Sequence, residues 1–165
     1  MPGAEHPRNR WSRWLWEIFD QLRKREGLND LFGNKEGPVA WTEINGEEIF
    51  GVNSKSRAYK SEDRVAARKL RATLIEKYPG VMRIQNIGQR PNDVVFHGET
   101  TALLRAKEKN GGTLAGQNLT VFVDWALCDS CLEVLPKIGL ELGNPTVTFV
   151  PGIGEPRTMR NGDWD

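Results

Sequence analysis

Two cysteines, Cys128 and Cys131, are separated by two residues and follow the segment "NLTVFVDW" (118–125). The β-branched and aromatic content of that segment predicts a strand. Residues 128–142 have a helical pattern that Pro136 should kink or divide. Cysteines at positions i and i+3 of a first helical turn face the same side, so both sulfurs can hold one cation. A strand-to-helix junction that carries a metal centre is therefore the strongest constraint on the fold.

The cysteine pair requires a third protein ligand, because zinc prefers four ligands and a catalytic site leaves one of them to water. The chain contains two histidines. His97 is the natural candidate, since His6 belongs to the N-terminal segment. Glu99 stands two residues after His97 and stays free, in this interpretation, to move protons. The order H-x-E and then C-x-x-C is the signature of zinc deaminases, in which the glutamate is not a ligand.

Two alternatives explain the cysteine pair without deamination. A C-x-x-C pair at a strand-to-helix junction is also the setting of dithiol redox domains, and two cysteines do not make a disulfide framework. A structural zinc site would stabilise a binding module without turnover, although such a site usually closes its fourth position with protein. Metal analysis separates the redox alternative from the zinc alternatives, and Glu99→Ala separates catalysis from binding.

The rest of the chain predicts alternating helices and strands. Residues 11–26 have an apolar helical stripe rich in tryptophan, and "GNKEGP" (33–38) has the composition of a linker. Asn45-Gly46 predicts a β-hairpin over "VAWTEINGEEIFGVN". Helices are further expected over 61–78 and 97–109, and strands over "VVF" (94–96), "PTVTFV" (145–150) and "RTMRNGDWD" (157–165).

A short connection fixes the end of the sheet. Only the six residues "PGIGEP" separate the last two predicted strands. A parallel crossover needs about a dozen residues or more, so these strands should be antiparallel neighbours. The sequence therefore predicts an α/β protein, an α/β/α layered domain with a mixed five-stranded sheet. We assign residues 1–45 to an N-terminal helix and linker, and residues 46–165 to the domain that carries the metal motif.

Basic residues are concentrated between positions 55 and 90, although the whole chain has a net charge of only +1. Ten lysines and arginines stand there against three acidic residues. A solvated helix face explains such a run, and a footprint for a polyanion such as nucleic acid explains it equally. In the second case the nucleic-acid backbone contacts should come from Lys55, Arg57, Lys60, Arg64 and Arg68.

Several separate stretches resemble one known group of proteins. The segments "FHGETTALLRA", "NGGTLAG", "CDSC", "VLPKIGLELGNPTVTFV" and "RTMRNGDW" together resemble the SsdA-like deaminase toxins of bacterial polymorphic toxin systems, over roughly residues 50–165. The resemblance implies a cytidine deaminase-like fold, one Zn²⁺ per chain, and hydrolytic conversion of cytosine to uracil in single-stranded DNA. Residue by residue, His97, Cys128 and Cys131 match the family's zinc ligands, and Glu99 matches its proton shuttle.

Two positions depart from the deaminase pattern, since Leu127 stands where many deaminases have proline and Gly98 where alanine is frequent. A base reaches the metal only when it is unstacked, which favours single strands or an extruded nucleotide. We assign Gly98, Phe96 and Trp125 to the substrate pocket, where the two aromatic rings could stack on the base. Core packing is the alternative for both rings. Asn53 could hydrogen-bond the target nucleotide, and a turn role is its alternative.

The resemblance also implies partners and a location. A toxin of this type is a secreted effector fragment that acts in the cytoplasm of a recipient cell and is blocked by a cognate immunity protein. The sequence has no run of eighteen apolar residues, so it predicts no membrane span. The opening "MPGAEHPRNRW" lacks the apolar core of a signal peptide. Double-stranded DNA, cytosine in RNA, and adenine are the alternative substrates, because the metal motif is common to all these enzymes.

Overall fold

The computed structural model describes residues 11–28 and 37–165. Its elements are α1 Arg13–Arg25, β1 Ala40–Ile44, β2 Glu47–Gly51, α2 Ser61–Lys77, α3 Gly98–Lys109, β3 Asn118–Val123, α4 Asp129–Glu141, β4 Thr146–Pro151, β5 Arg157–Arg160 and β6 Asp163–Trp164. The strand order is β2-β1-β3-β4-β5-β6. Strands β3 and β4 are parallel and the other neighbours are antiparallel. No helix in the described part is long and apolar enough to cross a membrane.

The sheet separates two apolar clusters because successive strand residues point to opposite faces. In β3, Val121 and Val123 join the cluster that α2, α3 and α4 cover, whereas Phe122 packs against the cluster that includes α1. From α1, Phe19 and Leu22 are almost completely buried in that second cluster. The molecule thus has three layers, and the predicted α/β class with a mixed sheet and antiparallel final strands is confirmed.

The strand predicted for "VVF" is wrong, since Asn92–Phe96 forms a 3₁₀ helix. Val94 and Val95 are fully buried in the main core, so their β-branched side chains reflect burial and not strand pairing. The Val94 carbonyl accepts a hydrogen bond from the Thr100 hydroxyl (2.8 Å). This turn leads the chain directly into His97.

The sheet has six strands and not five, because the C-terminal segment predicted as one strand folds back on itself. Asn161 and Gly162 both have positive φ (55° and 81°), the conformation of a tight two-residue hairpin turn. They separate β5 from β6, which pair in antiparallel register.

Pro136 does not divide α4, which is continuous through it. A proline cannot donate a hydrogen bond to the carbonyl four residues earlier, here that of Leu132. The indole Nε1 of Trp164 donates to this Leu132 carbonyl instead (2.6 Å). The C-terminal hairpin therefore supplies the hydrogen bond that the proline removes.

The proposed division at residue 45 falls in the turn of the β1–β2 hairpin, whose strands pair over their full length. Strand β1 also pairs with β3 in the middle of the sheet. The division remains a prediction about domain organisation. The predicted linker at 33–38 lies mostly outside the described residues, and so does His6.

Candidate metal centre

His97 and Cys128 occupy equivalent positions at the starts of two helices. Each is the N-cap residue, of α3 and α4 respectively, and their backbones are nearly identical (φ −83°, ψ 161° and φ −77°, ψ 161°). Cys131 lies in the first turn of α4, where its backbone N–H donates to the Cys128 sulfur (3.2 Å). Because the N-terminus of a helix carries partial positive charge, both helix ends favour thiolates between them.

The structure brings His97, Cys128 and Cys131 together, with their ligand atoms all within 4.8 Å of one another. The His97 Nδ1 lies 3.4 Å from the Cys131 Sγ and 3.8 Å from the Cys128 Sγ. Ligands bound to one tetrahedral zinc ion are separated by about 3.5 to 3.8 Å. The two sulfurs are only 2.8 Å apart, so zinc binding would move them apart by about 1 Å. An imidazole and two thiols are a donor set that suits zinc, and these residues fit the metal.

Glu99 lies in the first turn of α3, two residues after the proposed histidine ligand, and its side chain is buried (5% exposed). The Cys131 thiol donates to its Oε2 across 3.6 Å. Burial raises the pKa of the Glu99 carboxyl, and the charge of His97 opposes this rise. The carboxylate is therefore beside the ligand cluster and shielded from bulk water.

The three ligands form a connected electrostatic group. The hydrogen-bond contact with Cys131 lowers the pKa of Cys128 to about 4, although burial opposes this change. The same hydrogen bond and burial raise the pKa of Cys131. Burial acts to lower the pKa of His97, but its hydrogen bond to Cys128 and the charge of Glu99 outweigh burial, so the pKa is raised. These shifts favour a thiolate at Cys128, the form that binds a metal cation.

The start of α3 is fixed by a close approach to the end of β2. A Cβ atom at Gly98 would lie 3.0 Å from the Gly51 carbonyl oxygen and 3.1 Å from that of Pro38, and a Cβ at Gly51 would lie only 2.1 Å from the Gly98 oxygen. The Thr101 hydroxyl adds a hydrogen bond to the Val52 carbonyl (2.9 Å). Close backbone packing explains why glycine, and not alanine, precedes Glu99. Its proposed pocket role stays a prediction.

We expect Gly98→Ala to lower the free energy of unfolding by about 1–3 kcal/mol, because the added methyl group must displace two backbone oxygens. Gly80→Ala is the matched control, since a Cβ there meets nothing within 4 Å. Both substitutions restrict the unfolded chain equally. Urea unfolding of the two variants measures the difference, and equal stabilities would show that packing does not explain the glycine at position 98.

The Asn53 loop lies next to the segment that carries His97. Asn53 is half-buried, and its Oδ1 accepts a hydrogen bond from the Lys55 backbone N–H (3.0 Å). The Ser54 N–H donates to the Phe96 carbonyl (3.0 Å). Asn53 thus makes a local turn on a loop that is attached beside the metal centre, and its substrate contact stays a prediction.

The two proposed aromatic residues differ in their surroundings. Phe96 is half-buried and packs against the main core, whereas Trp125 is 36% exposed in the loop between β3 and Cys128.

The proposed nucleic-acid contacts lie on the β2–α2 loop and on α2. Arg64 is half-buried, and the other four are exposed: Lys55, Arg57, Lys60 and Arg68. Their contacts with nucleic acid stay predictions.

A buried ion pair that the sequence analysis missed supports the cysteine loop. The Nε and Nη2 of Arg23, in α1, donate to the Asp124 Oδ2 (3.0 and 2.9 Å), and both side chains are at most 5% exposed. The Asp124 Oδ1 accepts from the Val39 N–H (2.8 Å). Asp124 lies four residues before Cys128, so α1 fixes the start of this loop. The available signal was Arg23 itself, which stands four residues after Phe19 on the apolar stripe.

Comparison with known proteins agrees with this site. A family model described as MafB19-like deaminase matches residues 17–142, which is more than half of the chain. The matched region contains His97, Glu99, Cys128 and Cys131. No curated protein matches the sequence significantly.

Proposed function

Because the chain belongs to the MafB19-like deaminase family, we propose that it catalyses zinc-dependent, hydrolytic deamination of cytosine to uracil in single-stranded DNA. The observation that carries the proposal is the cluster of His97, Cys128 and Cys131 beside the buried carboxylate of Glu99. Family membership supports the reaction class. The resemblance to SsdA-like toxins supports cytosine in single-stranded DNA as the substrate.

The proposed reaction assigns a distinct task to each group. His97, Cys128 and Cys131 would hold a zinc ion, and such an ion would lower the pKa of water enough to supply a nucleophile near neutral pH. Attack at C4 of cytosine and loss of the amino group as ammonia move both protons of the water, because its oxygen becomes the C4 carbonyl of uracil. One proton goes to the ring nitrogen N3 and the other to the departing amino group. Glu99 lies close enough to the ligands to carry these protons, and its burial excludes competing solvent.

The resemblance also supports a biological role that the site geometry does not address. We propose that the chain is the toxic part of a secreted effector, that it mutates the DNA of a recipient cell, and that a cognate immunity protein blocks it. Double-stranded DNA, cytosine in RNA, and adenine are the alternative substrates, because each could use the same ligands and the same carboxylate.

The dithiol alternative uses the two cysteines alone. The low pKa of Cys128 and the short sulfur–sulfur distance are compatible with it. It gives no role, however, to His97 and Glu99, which meet the sulfurs in the same cluster. A zinc-stabilised binding module would use His97 but not Glu99.

Incubation with matched single-stranded DNA, duplex DNA and RNA, scored for uracil and inosine by sequencing, tests the proposed function. We expect uracil at cytosines, chiefly in the single-stranded DNA, one zinc ion per chain, and loss of conversion when a chelator removes the metal. Conversion confined to RNA or duplex would reassign the substrate. A metal-free protein with two titratable thiols would support the redox alternative, and zinc without any conversion would support the binding module.

A further inference from the structure

Helix α2 carries a row of basic side chains along one side. Arg64, Arg68 and Arg71 follow one another at spacings of four and three, so they lie on the same side of the helix; we call these three residues the arginine stripe. The stripe borders the buried face of α2, which includes Ala67 and Leu70. The stripe therefore runs along the edge of the α2 surface that packs against the main core.

Two members of the stripe lie over the ring of Phe96, the residue immediately before His97. The Arg64 Cζ is 5.7 Å and the Arg71 Cζ is 5.4 Å from the centre of that ring. Arg64 also lies 5.2 Å from the ring centre of Tyr59. Two guanidinium groups therefore contact Phe96, which directly precedes a proposed metal ligand in the sequence.

The stripe keeps its charge available. A guanidinium that lies over a ring uses its face, while its N–H donors point outward in its plane. Among the residues that the structure describes, no salt bridge joins Arg64, Arg68 or Arg71 to a carboxylate.

Arg105 shows the opposite arrangement in the same region. Its guanidinium donates to both Asp63 oxygens (3.0 and 2.6 Å) and to the carbonyls of Phe50 and Ala58 (2.9 Å each). Asp63, the buried carboxylate of α2, is therefore already neutralised by a structural arginine. The stripe remains without a carboxylate partner among the described residues, next to Phe96, the residue before His97.

We propose that the arginine stripe binds backbone phosphates of single-stranded nucleic acid next to the target nucleotide, and that Phe96 orients Arg64 and Arg71 for this contact. The proposal rests on the proposed function, because it requires a strand whose target base reaches the metal ligands, and Phe96 directly precedes one of them, His97. Guanidinium groups match phosphate oxygens in bidentate geometry. Phe96 is thus a positioning residue, in place of the base-stacking role that the sequence suggested.

Affinity for a labelled single-stranded oligonucleotide, measured by fluorescence anisotropy over a range of NaCl concentrations, tests the stripe. The measurement uses Glu99→Gln protein, so that the substrate is not converted. We expect each of Arg64→Gln, Arg68→Gln and Arg71→Gln to weaken binding and to reduce the slope of log affinity against log salt by about 0.7. Lys69→Gln is the control, because Lys69 is exposed on the other side of α2 and should leave the slope unchanged.

Phe96→Leu tests the positioning role, because leucine keeps apolar bulk and removes the ring. We expect this substitution to weaken binding about 3- to 10-fold, because Arg64 and Arg71 lose the two cation–π contacts that orient them for the phosphates. In the Arg64→Gln, Arg71→Gln background it should have no further effect. Additive losses would assign Phe96 to the base and overturn its proposed role.

Unchanged salt slopes in the arginine variants would overturn the proposed phosphate contact. We would expect that result if this edge of α2 bound an acidic protein instead of nucleic acid. Conversion by the unsubstituted protein is scored separately. If it converts cytosine while the slopes are unchanged, the stripe fails and the proposed function stands. If the slopes fall but no nucleic acid is converted, the phosphate contact stands and the proposed function fails. Matching urea midpoints for all variants exclude unfolding as the cause.

Discussion

Glu99→Gln should reduce the rate of deamination by about 10³-fold or more while the protein keeps its zinc and its stability. Positioned proton transfer contributes roughly 10²–10⁴-fold to enzymatic rates, and Glu99 would serve both the attack of water and the departure of ammonia. Glutamine has the same shape and can fill the same buried position, but it cannot exchange a proton. Uracil formation under single-turnover conditions, together with metal analysis, measures the effect.

Glu108→Gln is the matched control, because Glu108 is an exposed glutamate near the other end of α3. It should convert cytosine at the unsubstituted rate. Residual activity of Glu99→Gln within tenfold of that rate would remove Glu99 from the proton transfer. A variant that loses both zinc and activity would instead show that Glu99 supports the ligand cluster.

The metal cluster could be predicted from the sequence because its information is local. Cys128 and Cys131 are one helical turn apart, and His97 and Glu99 share the first turn of another helix. The remaining step, that the two helix starts meet, came from the chemistry of zinc, which requires a third ligand. The antiparallel end of the sheet was equally local, because a six-residue connection permits nothing else.

The features that the sequence did not reveal depend on contacts between distant segments. The indole of Trp164 bonds a carbonyl of α4, and this contact keeps the helix continuous where local rules predict a break. The "VVF" segment has strand composition, but it packs against α2, α3 and α4, and burial beneath helices uses the same side chains. The sixth strand is the exception, because the Asn161-Gly162 turn has the same local hairpin signal as Asn45-Gly46 and could be predicted from the sequence.

Arg23→Met should destabilise the protein by about 3–5 kcal/mol, the usual cost of removing one partner from a buried ion pair. The Asp124 carboxylate would then stay buried with the hydrogen bond from the Val39 N–H but without its charged partner. Burial already raises the pKa of Asp124, and the charge of Arg23 opposes this rise. Because Asp124 begins the loop to Cys128, zinc affinity measured by chelator competition should fall as well.

Arg25→Met provides the comparison within α1, because the Arg25 side chain is half exposed and pairs with Glu26 and Glu48 at the surface. Such pairs contribute at most about 1 kcal/mol, so urea unfolding should separate the two variants clearly. Equal stabilities would mean that the buried pair does not stabilise the fold. A truncated chain tests the predicted domain division. A chain reduced to residues 46–165 lacks both Arg23 and strand β1, so it should bind zinc weakly, whereas an independent domain in that range would bind it with unchanged affinity.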